Sequence, residues 1–589
     1  MRLSSQRQQP RASVRFDRLF ALRAFLLLVG VIFIGRLFYL QVINQAHYKQ
    51  IARSEQFKQL QIEAERGTIY MRNGSADPVV LAVNESRFTV FADPSYVKDP
   101  AQTADQLSSI LGVPKDELET KLKKKLRYVI LAKKVSKDVK AKVEAAKSKG
   151  IAWREERIRT YPQGATSANV LGFVNDEGDG QYGIEGSLNK LLKGQPGTIR
   201  AVTDIQGIPL VQNKDNVVTE PVHGSNLVLS IDETIQRIAE EEIKTGVEKT
   251  GSKSGSVVIM EASTGRVVGM ADYPTYDPAQ YAKTEDSSLF KNKAVSDPME
   301  PGSIIKTLTV GAAIDVDAIT KDTTYYDAGF QDVDGSIIHN VANVGSGTKS
   351  IFDILRYSLN TGAIYMLKQM GGGDINEKAR TTWYNYLSDH YLFTRNPGIE
   401  QDEATKGYIP SPTEGDGLRI QYANMSFGQG LSISILQFAS ALSSVLNGGT
   451  YYQPTVVYGT QNDAGTIDVQ SPKILKTAVV QKGTSDAVVD LMKQYVDVSF
   501  PEVRRDGFIL GGKTGTAQVP KTDGSGGYRD DVYNATFAGY IGREKPKYVV
   551  IIRLDEGSAS SGFSGFNSAK PVFVGIANGI MDNVPISND

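Results

Sequence analysis

The chain of 589 residues contains no cysteine, which excludes disulfides and thiolate metal sites. That absence suits a protein exported from the cytosol, where stray thiols would mispair. Histidine is nearly as scarce: His47, His223, His339 and His390 are the only four, and they are widely scattered. So small a set argues against a Ser-His-Asp triad or a histidine-built metal site, and it turns attention to lysine as a base. Net charge is also missing, since 66 Lys and Arg balance 66 Asp and Glu. No nucleic acid or other polyelectrolyte partner is implied. No repeat of fixed period is present. What remains is the composition of a folded protein, 40% hydrophobic and 8% aromatic. At about 150 residues per domain, its length suggests roughly four units.

Residues 1–23 carry Arg2, Arg7, Arg11, Arg15, Arg18 and Arg23 against one acid, Asp17. The run "AFLLLVGVIFIGRLFYLQVI" that follows, Ala24 to Ile43, would span roughly 30 Å as a helix, one hydrocarbon core. A signal peptide has a shorter apolar core and a small-x-small cleavage site; here "NQAHYKQ" follows instead. The expectation is an uncleaved anchor at residues 19–43 with residues 1–18 as a cytoplasmic tail. The arginine excess then puts the N-terminus inside and everything after the anchor outside. Arg36 within the span must snorkel outward or meet a partner helix.

Beyond the anchor, residues 44 to about 60 read as a continuing polar helix. "ERGTIYMRNGSADPVVLAV" reads as strand, turn and strand, with Asn73-Gly74 supplying the turn. Residues 114–150 read as lysine-rich helices, and residues 161–197 as glycine-dense loops and short elements. A second regime starts near Pro221. "SNLVLSID" is a strand, "ETIQRIAEEEIKTG" a helix capped by Asp232, and "GSVVIMEASTGRVVGMADYP" two strands about a Thr-Gly turn. A helix starts at Ser303, and "ILQFASALSSVLNGG" makes a buried helix with a glycine stop. "FILGGKTGTAQV", "NATFAGYIG" and "KYVVIIRLDE" are strand-like. An α+β domain follows, with one sheet assembled from both ends of the segment. Residues 580–589 read as a polar tail.

Ser-x-x-Lys occurs five times, beginning at Ser95, Ser187, Ser288, Ser303 and Ser346. Only Ser303 opens a long apolar helix, with Pro301-Gly302 forcing the turn before it. A spacing of three places Ser303 and Lys306 on one helix face, with Cβ atoms about 5–6 Å apart. From this pair alone, a serine helix cap followed by a lysine reads equally well. A serine nucleophile needs a proton acceptor, and lysine serves if burial or another cation depresses its pKa. "YSLNTG" offers Ser358 and Asn360. "GGKTGTAQ" offers Lys513, Thr514, Gly515 and Thr516 on a strand, where glycines admit a substrate backbone to an edge. Both motifs have decoys: Ser-x-Asn recurs at Ser167 and Ser187, and Lys-Thr-Gly at Lys244 and Lys249, ending a helix and entering a loop. The best-placed copies follow in the order Ser-x-x-Lys, Ser-x-Asn, Lys-Thr-Gly, the signature of penicillin-binding proteins and class A β-lactamases.

With those motifs, the chain resembles the class B penicillin-binding proteins, monofunctional peptidoglycan transpeptidases. "RGTIYMRNG" is similar to that family's Arg-Gly-x-Ile-x-Asp-Arg-Asn-Gly box, with Met71 where Asp is usual. "RTYPQG", "GQYGIEGSLNKLLKGQPG", "LSIDETIQ", "SFGQGLSISILQ" and "AKPVF" resemble further landmarks. The missing acid would have paired locally with an arginine. The resemblance implies a pedestal, residues 44–220, and a transpeptidase domain, residues 221–579, of α/β sandwich type with a mixed five-stranded sheet flanked by helices. It implies a serine acyl-enzyme on stem peptides ending in D-Ala-D-Ala. Ser303 would be the nucleophile, Lys306 its base, Ser358 and Asn360 the proton relay, and Lys513, Thr514 and Thr516 the carboxylate holders beside Gly515. No metal or organic cofactor is implied. β-Lactams would be covalent inhibitors. The glycosyltransferase motif of bifunctional relatives has no match, so a membrane-embedded glycan polymerase and the division or elongation machinery are expected partners. The compact pedestal tilts the reading toward septal synthesis. A membrane-anchored β-lactamase or β-lactam sensor shares the serine-lysine core and is the alternative.

Overall fold

The computed structural model describes residues 18–49, 57–202, 217–341, 344–521 and 525–587. It divides into two compact units, residues 1–64 with 195–222, and residues 65–194 with 223–589. In the first unit the helix Arg18–Phe38 runs on into one π-helical turn, Tyr39–Ile43. Together they are long and apolar enough to cross a membrane, and none of the span's most apolar window is buried against protein. Of the polar helix expected from residue 44 to about 60, residues 45–49 are helical and residues 50–56 lie outside the described residues; its end is different, since Phe57–Ile62 is a strand, antiparallel to Gly197–Val202, which in turn pairs with Val217–Thr219. "LQI" alternates apolar and polar residues, and a partner more than 130 positions away decides in favour of the two-residue period.

The second unit contains two large sheets. One has seven strands and is mixed: Asn226–Asp232 lies parallel to Ile69–Asn73 and antiparallel to Val457–Gln461. Ile69–Asn73 turns at Gly74 (φ 54°) into Ala76–Ala92, a strand long enough to pair along its length with both Val129–Val135 and Ile151–Thr160. Met71 is buried between Val79 and Leu229. Its thioether fills core where the family box has a carboxylate. The nearby arginines find another acid: Glu185, fully buried, takes Arg66 Nε and Arg159 Nε at 2.7 Å each.

The other sheet has the five strands expected of the transpeptidase domain, in the order Val267–Tyr273, Ser254–Glu261, Pro546–Ser558, Tyr528–Gly542, Ile509–Pro520. Every pairing in it is antiparallel, so the parallel pairing lies in the seven-stranded sheet. The reason is connectivity: each chain end contributes hairpins, and the two sets meet through Ser254–Glu261 and Pro546–Ser558. The central strands read as unbroken apolar runs because both faces are covered. Val257 and Ile259 face the helices Glu233–Thr250 and Lys570–Asn583, while Val258 and Met260 face the larger core around Lys306–Asp315 and Ile435–Leu446. Every residue of Ile435–Leu446 is buried, and its serines Ser440 and Ser444 return their hydroxyls to backbone carbonyls of the same helix. The tail expected from residue 580 is part of the fold as far as Ile586. The last helix runs to Asn583, and Ile580, Met581 and Ile586 are buried. These apolar positions, spaced along the helix, outweigh the polar composition around them.

Candidate active site

Pro301 and Gly302 lead into a 3₁₀ turn, Gly302–Ile305, that continues as the helix Lys306–Asp315. Gly302 has φ 60°, and a Cβ there would come within 2.9 Å of the Thr516 carbonyl oxygen. Its N–H donates to the Gly428 carbonyl at 3.0 Å. Gly428, itself at φ 98°, stacks so closely that a Cβ would sit 2.1 Å from the Gly302 oxygen. Thr536 Oγ1 donates to the Pro301 carbonyl at 3.1 Å, tying the turn to the sheet. Ser303 is therefore held by its neighbour Gly302 and, from distant parts of the chain, by Gly428 and Thr536.

Lys306 is completely buried. Its Nζ lies 2.7 Å from the Ser358 carbonyl oxygen, 2.8 Å from Asn360 Oδ1, 3.0 Å from Ser303 Oγ and 3.4 Å from Ser358 Oγ. Burial, and then the charge of Lys513, hold its pKa well below the usual lysine range. The consequence is directional. A neutral amine has two N–H groups and one lone pair. The two carbonyl oxygens can only accept, so they take the N–H groups and leave the lone pair for the Ser303 hydroxyl proton. A lysine whose neutral form is favoured in this way has the chemistry of a base for the Ser303 hydroxyl.

Ser358 adopts φ 55°, strained for a residue with a Cβ. Its Oγ stands between the two lysines, 3.2 Å from Lys513 Nζ and 3.4 Å from Lys306 Nζ. Asn360 begins the helix Asn360–Met370 and also donates to the His339 carbonyl at 3.3 Å. Behind it, buried Asp327 accepts from Thr361 Oγ1 at 2.8 Å and Asn340 Nδ2 at 3.2 Å.

Lys513 lies on Ile509–Pro520, the free edge of the five-stranded sheet. It is fully buried, and burial lowers its pKa to about 7. Its Nζ donates to the Thr514 carbonyl at 2.7 Å and sits 5.2 Å from the centre of the Tyr495 ring. The Tyr495 hydroxyl in turn bonds Thr514 Oγ1 at 2.8 Å. Gly515 is required sterically, since a Cβ would meet Thr536 Oγ1 at 2.2 Å. Thr516 is exposed; its Oγ1 accepts from the Gly565 N–H at 3.0 Å and keeps its own proton to donate.

The structure thus brings Ser303, Lys306, Ser358, Asn360 and Lys513 to one point, with Thr514, Gly515 and Thr516 on the adjoining edge. The decoys go elsewhere. Ser95 bonds Asp93, Ser187 accepts from the Asp402 N–H, and the Ser288 N–H is taken by Asp286. Lys349, the partner of Ser346, turns to the Val344 carbonyl. Lys244-Thr-Gly lies inside the helix Glu233–Thr250 and does not end it; Lys249-Thr-Gly closes that helix. Sequence reasoning missed Gly428, Tyr495 and Thr536 as supports. Gly428 had a signal, two glycines in "SFGQG" amid apolar residues. Tyr495 and Thr536 had none, since an aromatic on a helix and a threonine on a strand read as ordinary packing.

The penicillin-binding protein transpeptidase domain family matches residues 255–582, more than half of the chain. The chain belongs to that family. Residues 61–229 also match the penicillin-binding protein dimerisation domain. Stage V sporulation protein D of Bacillus subtilis is 30% identical over 573 residues, covering 95% of this chain and 85% of that protein. Peptidoglycan D,D-transpeptidase FtsI of Escherichia coli is 27% identical, covering 99% and 95%. Among solved structures, penicillin-binding protein 3 of Mycobacterium tuberculosis in complex with aztreonam superposes with a TM-score of 0.67 at 25% identity, covering 90% of this chain and 98% of that one. Penicillin-binding protein 2X of Streptococcus thermophilus gives 0.72 at 23% identity, covering 89% and 80%, a likeness of fold. This membrane-anchored chain is a serine-type penicillin-binding transpeptidase.

Proposed function

We propose that Ser303 Oγ attacks the penultimate D-alanine carbonyl of a stem peptide ending in D-Ala-D-Ala while the Lys306 lone pair takes its proton. The carbonyl carbon gains the bond to Oγ and loses the bond to the terminal D-alanine nitrogen. That nitrogen leaves as an amine after receiving a proton through Ser358 Oγ, with Asn360 orienting the peptide. Lys513, Thr514 and Thr516 hold the terminal carboxylate, and the backbone N–H groups of Ser303 and Thr516 stabilise the oxyanion. An amine from a neighbouring stem peptide then attacks the ester, forming the cross-link and returning the proton to Ser303. The observation that carries this reading is the placement of Lys306 Nζ, whose two carbonyl partners leave its lone pair to Ser303.

The arginine-rich N-terminus supports a cytoplasmic tail at residues 1–18 and an anchor at 19–43, with a pedestal at 44–220 and a transpeptidase domain at 221–579 outside. The partners are a membrane-embedded glycan polymerase and the septal machinery, supported by the compact pedestal and the lack of a glycosyltransferase motif. The test is mass spectrometry of the chain treated with a labelled penicillin. One lasting adduct is expected on Ser303, abolished in Ser303→Ala and retained in Ser288→Ala and Ser346→Ala. An adduct persisting in a folded Ser303→Ala protein refutes the assignment, and rapid turnover of the adduct would indicate a β-lactamase.

A further inference from the structure

The helix Asn360–Met370 is capped from outside its own stretch of chain. Leu359, the residue before it, has no side chain that could accept, and the first N–H groups of a helix need acceptors from elsewhere. Thr361, the second residue of the helix and fully buried, finds one 21 positions back: its N–H donates to Asn340 Oδ1 at 3.1 Å. An amide can present either end, and Asp327 decides which. Its Oδ2 accepts from Asn340 Nδ2 at 3.2 Å and from Thr361 Oγ1 at 2.8 Å, so Asn340 turns its oxygen to the helix. The other oxygen, Oδ1, accepts from the Gly329 N–H at 2.8 Å and shapes the turn into the hairpin Phe330–Val333 with Ser336–His339. Asp327 is itself fully buried and, among the described residues, has no ion pair. Three converging donors and the positive end of the helix dipole hold its charge instead.

The same hairpin end fixes Asn360. His339, next to Asn340, gives its carbonyl to Asn360 Nδ2 at 3.3 Å, which leaves Asn360 Oδ1 facing Lys306 Nζ at 2.8 Å. On the functional reading above, that orientation matters. A reversed Asn360 amide would offer Lys306 a donor, and the neutral amine would answer it with the lone pair needed by Ser303. We propose that Asp327 is a positioning residue for acylation. Through Asn340 and Thr361 it ties the hairpin end to the start of the helix, so that the His339 carbonyl holds Asn360 with its oxygen toward Lys306. Asp327 touches neither substrate nor reacting atoms. This rests on the functional reading and adds to it a residue that lies outside all three motifs.

The test is the rate of labelling by a fluorescent penicillin, on the full-length chain in detergent, with circular dichroism and thermal unfolding as folding controls. Asp327→Asn keeps the size of the side chain but puts a donor where three donors converge. The folded variant should be labelled on the order of tenfold to a hundredfold more slowly. The loss should lie in the rate at saturating penicillin, because the Lys306 lone pair serves the chemical step. Asn360→Ala sets the comparison: if Asp327 acts through Asn360, the double variant should match Asn360→Ala within about twofold. A purely structural role would leave the folded protein labelled normally, or would multiply the two losses. Thr361→Val removes one hydroxyl from the network and should slow labelling in the same way, while Thr361→Ser should restore it; this pair decides the matter where Asp327→Asn does not fold. Labelling of the folded Asp327→Asn or Thr361→Val protein within about twofold of wild type, or full multiplication in the double variant, overturns the proposal. If Ser303 is never labelled, or if Asn360→Ala is labelled at the wild-type rate, the functional reading fails and takes this inference with it.

Discussion

Gly428→Ala should impair acylation far more than it impairs folding. Gly428 lies more than 120 residues from Ser303 in sequence, yet its new methyl would stand 2.1 Å from the Gly302 carbonyl oxygen and 2.7 Å from the Gly302 nitrogen. Relief to an ordinary contact needs a shift of about 1 Å in either backbone, and the Gly302 side carries Ser303, the proposed nucleophile. A displacement of that size at a reacting atom costs on the order of a hundredfold in rate. The substitution also has a backbone cost, because φ is 98°; this is about 1–2 kcal/mol for a residue with a Cβ. Gly448→Ala isolates that second cost: it has φ 92° and nothing within 4 Å of the new methyl. The assay is the second-order rate of labelling by a fluorescent penicillin, beside thermal unfolding of both variants. Similar losses of stability are expected, with labelling slowed on the order of a hundredfold only in Gly428→Ala. Labelling within twofold of wild type in folded Gly428→Ala would show that the two glycines do not set the nucleophile's position.

Two further predictions concern buried charge. Asp272 accepts from the Lys293 N–H at 2.8 Å, and burial raises its pKa to about 6. The folded state therefore keeps a proton that the unfolded chain loses near pH 4, so this group's contribution to stability is present below about pH 4 and lost as pH rises through about 6. Asp272→Asn should flatten that part of the stability profile and gain about 2–3 kcal/mol at pH 7.5, read by urea denaturation between pH 4 and 7.5; an unchanged slope between about pH 4 and 6 would count against the shift. Glu185→Gln should cost about 3–5 kcal/mol, because the side chains of Arg66 and Arg159, only 8% and 2% exposed, share this one carboxylate. Chemical denaturation measures it, and a loss under about 1 kcal/mol would mean that the arginines find water or other acceptors.

Legibility in the sequence followed the range of the interactions. "VVIM" and "VVII" announced strands, and Asp232 announced its helix, because those signals are local. The choice of Ser303 among five candidates was also local, since Pro301-Gly302 and the apolar helix adjoin it. Phe57–Ile62 was misread because its strand partners come from far along the chain. The strand directions of the five-stranded sheet were misread because composition does not encode which neighbour a strand takes. Tyr495 and Thr536 acquire their roles only once helix and sheet are packed, and no single-residue pattern distinguishes them from core.

The same limit applies to the two lysines, whose meaning lies in what surrounds them. Lys306 and Lys513 are both fully buried, and every hydrogen bond described for either goes to a hydroxyl or a carbonyl oxygen. Among the described residues, neither is given a carboxylate. A buried ammonium without a counter-ion is expensive, so a fold shaped for stability alone would pair these lysines or replace them with apolar side chains. Here the cost has a use. The unpaired environment lowers both pKa values, and the proximity of Lys513 lowers that of Lys306 further. A carboxylate beside Lys306 would favour the protonated amine, which has no lone pair to offer Ser303. One beside Lys513 would occupy the cation proposed to receive the carboxylate of the substrate. The absence of acids here among the described residues is thus as much a part of the site as the residues present.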